Sequence, residues 1–192
     1  MEILQAGMAD YDGILALHRI YHTDYINEAD RKDGFVTTNF TPEQLRALIE
    51  DEHGVTIVKD ADGKVVAYAM AASWEFWSQW PLFAHMIDKL SEFTHEGTVL
   101  TTENSYQYGP ICLDKSVRNG GLFEDVFYAS LKSMSGRYPY MVTFINRING
   151  RSHAAHTRKV PLRIEGTFQF NNNNYYLLAC KTSLTKPAPK HT

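Results

Sequence analysis

Cysteine is scarce in this chain: Cys112 and Cys180 are the only two, and both lie inside apolar runs. They offer neither a disulfide framework nor a cysteine-built metal centre, and each reads as a small buried hydrophobe. Positive charge is not in excess either, since 19 Lys and Arg stand against 22 Asp and Glu, a formal net charge of -3. Without a global cationic field, nucleic acid and anionic membrane surfaces are not expected as principal partners. No apolar run has the length needed to cross a bilayer. The start, Met1-Glu2-Ile3-Leu4-Gln5, lacks the basic opening and apolar core of a signal peptide, so a cytoplasmic location is expected. Repeats and low-complexity linkers are also missing; one domain over 1–185 with a flexible tail over 186–192 is the expected organisation. The chain has no Gly-Lys-Ser/Thr run and no Gly-x-Gly-x-x-Gly after its first strand, which excludes a P-loop and a dinucleotide-binding turn.

What is present supports a packed core: 44% of the 192 residues are hydrophobic, 12% aromatic and 21% charged. A first strand is predicted over Glu2 to Ala6, then a helix from about Asp10 to Asn27, where Ile14, Leu17, His18 and Tyr21 recur at helical spacing. Thr41-Pro42-Glu43-Gln44 is a helix-start signal, because the Thr hydroxyl caps free N–H groups, Pro fits the first turn and Gln44 reaches back. Val55 to Val58 and Lys64 to Ser73 read as antiparallel neighbours joined through Asp60-Ala61-Asp62-Gly63. Trp74 to Phe93 holds all three tryptophans and reads as an inserted, partly helical segment on the sheet. Ser105 to Leu113 is a strand interrupted by Gly109-Pro110, which removes a ladder donor and predicts a bulge or splay that makes a cleft. A helix patterned by Phe123, Phe127, Leu131 and Met134, a strand over Tyr138 to Ile145, a helix between Asn149 and Val160, and a hairpin of Arg163 to Phe170 with Tyr175 to Lys181 complete the chain. The class is α/β with a mixed sheet containing one parallel strand-helix-strand unit.

The stretch that carries chemistry is Ile111-Cys112-Leu113-Asp114-Lys115-Ser116-Val117-Arg118-Asn119-Gly120-Gly121-Leu122-Phe123, a strand leading through a glycine turn into a helix. The first N–H groups of a helix have no internal partner and sit at the positive end of its dipole, so such a turn captures an anion. Gly120 and Gly121 leave the backbone open to a diphosphate, and Arg118 adds a fixed charge beside it. Read alone, the same turn is equally a connection whose glycines only supply unusual backbone angles.

In this context, Arg118-Asn119-Gly120-Gly121-Leu122-Phe123 resembles the acetyl-CoA-binding element of the GNAT acetyltransferase superfamily, Arg/Gln-x-x-Gly-x-Gly/Ala after a bulged strand. Phe123 departs from the small residue usual at its position, and is expected to point into the core. The resemblance covers Glu2 to Cys180 in element order and implies a GNAT-like acyl-CoA N-acyltransferase fold. That fold has a mixed, mostly antiparallel sheet with a splayed central strand pair and flanking helices. It also implies acetyl-CoA as co-substrate, with Arg118 to Phe123 holding the diphosphate and main-chain groups of Ile111 and Leu113 pairing with the pantetheine arm. The family's Asn, small residue and Tyr fall at Asn149, Ser152 and His156; His156 would then protonate the departing thiolate as an imidazolium. The function implied is transfer of an acetyl group to a primary amine of a small molecule by direct attack. Its alternative is a non-catalytic acyl-CoA sensor or protein-interaction module on the same fold.

Trp74, Trp77, Tyr106 and Tyr108 either line an acceptor pocket or anchor the inserted segment, and Phe35 lies in a loop expected to close over the acceptor. Among Glu75, Glu103 and Asp114, Glu103 is the candidate to hold or deprotonate a cationic amine. His18 and His22 share a helix face with Asp24 nearby, but without a third spaced ligand no metal site is expected. Edge strands and aromatic surface leave room for a homodimer.

Overall fold

In chain order the elements are β1 (Glu2–Gln5), α1 (Tyr11–Tyr21), α2 (Glu28–Arg31), α3 (Pro42–Glu50), β2 (Val55–Lys59), β3 (Val65–Ala72), α4 (Trp74–Trp77), α5 (Pro81–Lys89), β4 (Thr94–His95), β5 (Thr98–Val99), β6 (Ser105–Leu113), α6 (Leu122–Met134), β7 (Tyr140–Asn146), α7 (Gly150–Arg158), β8 (Arg163–Phe170) and β9 (Asn173–Lys181). They come from a computed structural model that describes residues 1–31 and 34–188. Seven strands form one sheet in the order β1-β2-β3-β6-β7-β9-β8, with β4-β5 a separate ribbon. Within the large sheet β6 and β7 run parallel and every other neighbouring pair is antiparallel.

Side-chain alternation along β3 divides the core. Tyr68, Met70 and Ala72 meet Ile14, Leu17, Leu45 and Leu48 of α1 and α3, whereas Ala67, Ala69 and Ala71 face Val126, Phe127 and Leu131 of α6. Burying each such Leu, Ile or Phe contributes about 1.5–3 kcal/mol relative to leaving it in water. A third group sets Trp74, Met86 and Leu90 of the inserted segment on Val142, Leu177 and Ala179. The helix start at Thr41 is as predicted: its hydroxyl accepts from Gln44 N at 3.2 Å while Gln44 Oε1 accepts from Thr41 N at 2.9 Å.

Some boundaries differ from the sequence pattern. The first helix stops at Tyr21 because His22 is extended, with ψ 141°, and the following segment forms the short α2. In the last hairpin the turn is narrower than Asn171 to Asn174: Asn171 and Asn172 alone take positive φ, 44° and 60°, which suits asparagine and lets the strands pair through Asn173. Two residues of the expected lid, Lys32 and Asp33, lie outside the described residues.

The site is created by β6. It pairs with β3 on either side of a register shift between Ala69 and Ala71, but pairs with β7 only at Ser105, Tyr106 and Gln107. Beyond these, Gly109 has φ 114° and Pro110 has no N–H, while β7 continues along β9 as far as Asn146. The two central strands therefore splay. The irregularity also reverses the pleat: Tyr106 and Tyr108 face α6, but two pleats later Cys112 faces α1 and α3.

Candidate active site

Beyond the splay, the β6 backbone has one paired and one open edge. The Asp114 N–H donates to Val66 O at 2.8 Å on β3. Because peptide groups alternate sides, Cys112 shares that orientation, and Ile111 and Leu113 turn theirs into the gap. The Leu113 carbonyl there accepts from Arg118 Nε at 2.9 Å, and the Arg118 guanidinium lies 4.9 Å from the Tyr21 ring centre.

The turn into α6 is built from its own polar groups. Asp114 Oδ1 accepts from Ser116 N at 2.9 Å and from its hydroxyl at 2.6 Å, fixing the short turn Lys115–Val117. Asn119 and Gly121 are left-handed, φ 73° and 80°, and bring the chain round so that Gly121 caps α6. Asp125 N bonds to Gly121 O, so the N–H groups of Leu122, Phe123 and Glu124 have no acceptor within the helix.

These elements face a cavity of about 530 Å³. One wall carries Ile111, Leu113, Arg118, Asn119, Gly121 and Phe123; the other is α7, with its capping residue Asn149 and with Ser152 and His156. The Asn149 side chain accepts from Ser152 N at 3.0 Å, which orients the start of that helix toward the cleft. Arg151, Arg158 and Lys159 also line it, and among the described residues no carboxylate does. The sequence reading missed these three cations, although their spacing on one helix after Asn149 marks a basic face. Gly120 and Leu122 do not line the cavity: the first is exposed and the second is buried among the α6 core residues. Phe123, expected to point into the core, packs against the α6 core cluster and also forms part of the cavity wall. At the second turn residue of a helix that rims a cleft, a side chain is directed back toward the opening.

A smaller cavity of about 150 Å³ continues from the first, sharing Phe35, Val36, Ile111, Ser152 and His156 with it. It reaches the apex of the splay at Gln107, Tyr108 and Thr143, flanked by Phe83 and Phe144.

His156 stands where the two cavities meet and is buried. Its Nδ1 lies 2.8 Å from Ser152 O, and since a carbonyl only accepts, Nδ1 carries the proton and Nε2 presents a lone pair. Burial pulls its pKa down to about 4. This corrects the imidazolium expectation: at neutral pH the ring is uncharged and is set to accept a proton. Cys112 also lines the larger cavity, but burial pushes its thiol up to about 12, which leaves it unreactive at neutral pH.

Four other candidates fall outside both cavities, and for Trp74, Trp77 and Tyr106 packing is the use that holds. Glu103 is exposed on the turn before β6, at the closed end of the splay; its carboxylate accepts from the Thr102 hydroxyl at 2.7 Å, which holds its pKa low, and it lines neither cavity. Trp74 is core: its indole N–H donates to Ser105 Oγ at 3.0 Å. Trp77 stacks on Phe83 with centroids 4.7 Å apart, and Tyr106 packs against Tyr138 at 5.7 Å. Of the aromatic acceptor-side candidates only Phe35 and Tyr108 line a cavity. Glu75 is exposed on α4, and Asp114 is engaged as a cap. His18 is satisfied by Tyr68 Oη at 2.7 Å and Thr38 O at 2.8 Å, and no group of three metal-ligating side chains exists among the described residues. No helix among them is long and apolar enough to cross a membrane.

No family profile matches the sequence, and no curated protein matches it. Solved structures do match in shape. A ribosomal-protein-alanine N-acetyltransferase from Brucella melitensis superimposes with TM-score 0.60 at 15% identity, covering 94% of this chain and 99% of its own. An N-acetyltransferase from Staphylococcus aureus Mu50 gives 0.59 at 16% identity over 95% and 98%. yncA from Salmonella typhimurium, a putative acetyltransferase solved with its cofactor acetyl-CoA, gives 0.61 at 13% identity over 100% and 99%. With the mixed sheet, the splayed β6-β7 pair and the glycine turn into α6, these matches establish that the fold of this chain is that of the GNAT N-acetyltransferases.

Proposed function

We propose that this chain is an acetyl-CoA-dependent N-acetyltransferase that acetylates a primary amine of a small molecule. The observation carrying this reading is the cavity beside the splayed β6, where Gly121 and Phe123 at the start of α6 meet four cations and no carboxylate among the described lining residues. Such a surface fits an elongated, phosphorylated thioester. When bound, acetyl-CoA supplies an acetyl group activated for attack.

The chain's own groups then divide the work. Asn119, Gly121 and the α6 amides hold the diphosphate, while Arg118, Arg151, Arg158 and Lys159 neutralise phosphate charge. The inward peptide groups of Ile111 and Leu113 align the pantetheine amides as an added strand would, and the Leu113 N–H meets the oxygen of the reacting carbonyl. Holding amine and thioester side by side supplies much of the rate. His156 Nε2 accepts the proton that the amine sheds, and the ring so charged returns it to the sulfur. Incubation with acetyl-CoA and a panel of small amines, with free thiol followed by colour, tests the reading. Amine-dependent thiol release supports it; stabilisation by CoA with no turnover on any amine supports the acyl-CoA sensor instead.

A further inference from the structure

The smaller cavity, where an acceptor would sit on that reading, is unlike a site for a charged amine. Among its described lining residues there is no Asp, Glu, Lys or Arg. Its aromatic walls are Phe35, Phe83 and Phe144, with Phe83 and Phe144 edge to face at 5.2 Å. Its polar side chains are hydroxyls, the Gln107 amide and the uncharged His156 imidazole at its mouth. The Gln107 amide nitrogen donates to Tyr108 O at 2.5 Å, which fixes the orientation of that side chain, and Gln107 Oε1 is left buried without a partner. A buried carbonyl oxygen calls for a donor, and among the described residues none provides one.

An ammonium entering this place would lose its water and gain no counter-charge, whereas a neutral N–H needs one acceptor and an apolar body needs only the rings. A volume of about 150 Å³ suits a body the size of one benzene ring. We propose that the acceptor is a small aromatic amine that is uncharged at neutral pH, bound with its ring among Phe35, Phe83 and Phe144 and its N–H donating to Gln107 Oε1. This deepens the proposed function and rests on it. In the transfer, the amine nitrogen forms the C–N bond as the thioester C–S bond breaks. One amine proton goes to His156 Nε2 and from there to the departing sulfur, leaving an N-aryl acetamide and a free thiol. The low proton affinity of His156 matches such an acceptor, because a weakly basic nitrogen becomes strongly acidic on acylation.

The test compares aniline with benzylamine and putrescine at pH 7.5, using the full chain and acetyl-CoA. Thiol release should give aniline a kcat/KM at least tenfold above either ammonium. In the presence of CoA, thermal melts should show stabilisation by acetanilide and none by N-acetylputrescine, a readout independent of turnover. Gln107→Glu should invert the preference toward benzylamine, and Thr143→Asp, at the same apex, serves where that variant fails to fold. Binding of acetyl-CoA with preference for either ammonium, or an unchanged ratio in both folded variants, overturns this proposal alone. Failure to bind acetyl-CoA overturns the acetyltransferase reading beneath it.

Discussion

The rings of Phe123 and His156 meet edge to face, 5.1 Å between centroids and 86° between planes. This contact ties the first turn of α6 to the middle of α7 across the cleft, and it is part of the burial that keeps the imidazole neutral. Phe123→Ala admits water to that face of the ring. The His156 titration midpoint, followed by NMR, should rise from about 4 toward 6.5, with a stability loss of about 1–3 kcal/mol. An unmoved midpoint would show that Phe123 does not shield the ring.

Stability should depend on pH through two histidines. Burial lowers the folded-state pKa of both His18 and His156 to about 4 from the ordinary 6.5. Above pH 6.5 both rings are neutral whether folded or unfolded, and the stabilisation is complete. As pH falls from 6.5 to 4, the unfolded chain takes up protons that the folded chain does not, and up to roughly 3 kcal/mol per ring is lost. Urea denaturation at pH 7 and pH 4.5 should show this drop, reduced by about half in His156→Phe; equal free energies at the two pH values would contradict it.

Much of this fold was legible because its signals are local. The Thr41 to Gln44 cap, the Asp60 to Gly63 turn and the Pro110 interruption each declare themselves within a few residues, and each sits as the pattern implies. The acceptor side was not legible, because it depends on a change of face. The irregularity at Gly109 and Pro110 reverses the pleat of β6, so residues counted by simple alternation from Tyr106 land on the wrong side. Trp74 and Trp77 looked like pocket residues because large aromatics serve cores and ligand sites alike, and only packing separates the two uses. Glu103 is near the cleft in sequence but at the opposite end of the strand from the opening.

The two glycines of the turn should respond differently. Gly121 has φ 80°, so although a Cβ there meets nothing within 4 Å, Gly121→Ala should cost about 1–2 kcal/mol from backbone strain alone. Gly120 has equal space and no left-handed angle, and Gly120→Ala should leave the melting temperature unchanged or slightly raised. Equal losses in the two variants would mean that side-chain room, not φ, limits this turn.

Arg158 and Lys159 are exposed on the cavity rim, so reversing their charge should disturb binding and not folding. The double variant Arg158→Glu, Lys159→Glu should bind CoA about tenfold more weakly at low salt, with the deficit shrinking as ionic strength rises. An undiminished affinity would place the phosphates elsewhere.

Calorimetric titration of CoA into the purified protein and into Gly121→Glu tests most directly whether the turn between β6 and α6 grips a diphosphate. The account predicts saturable one-site binding to the parent chain and none to a variant that is equally folded by circular dichroism. No heat from the parent at millimolar CoA, or equal binding by both proteins, would contradict it.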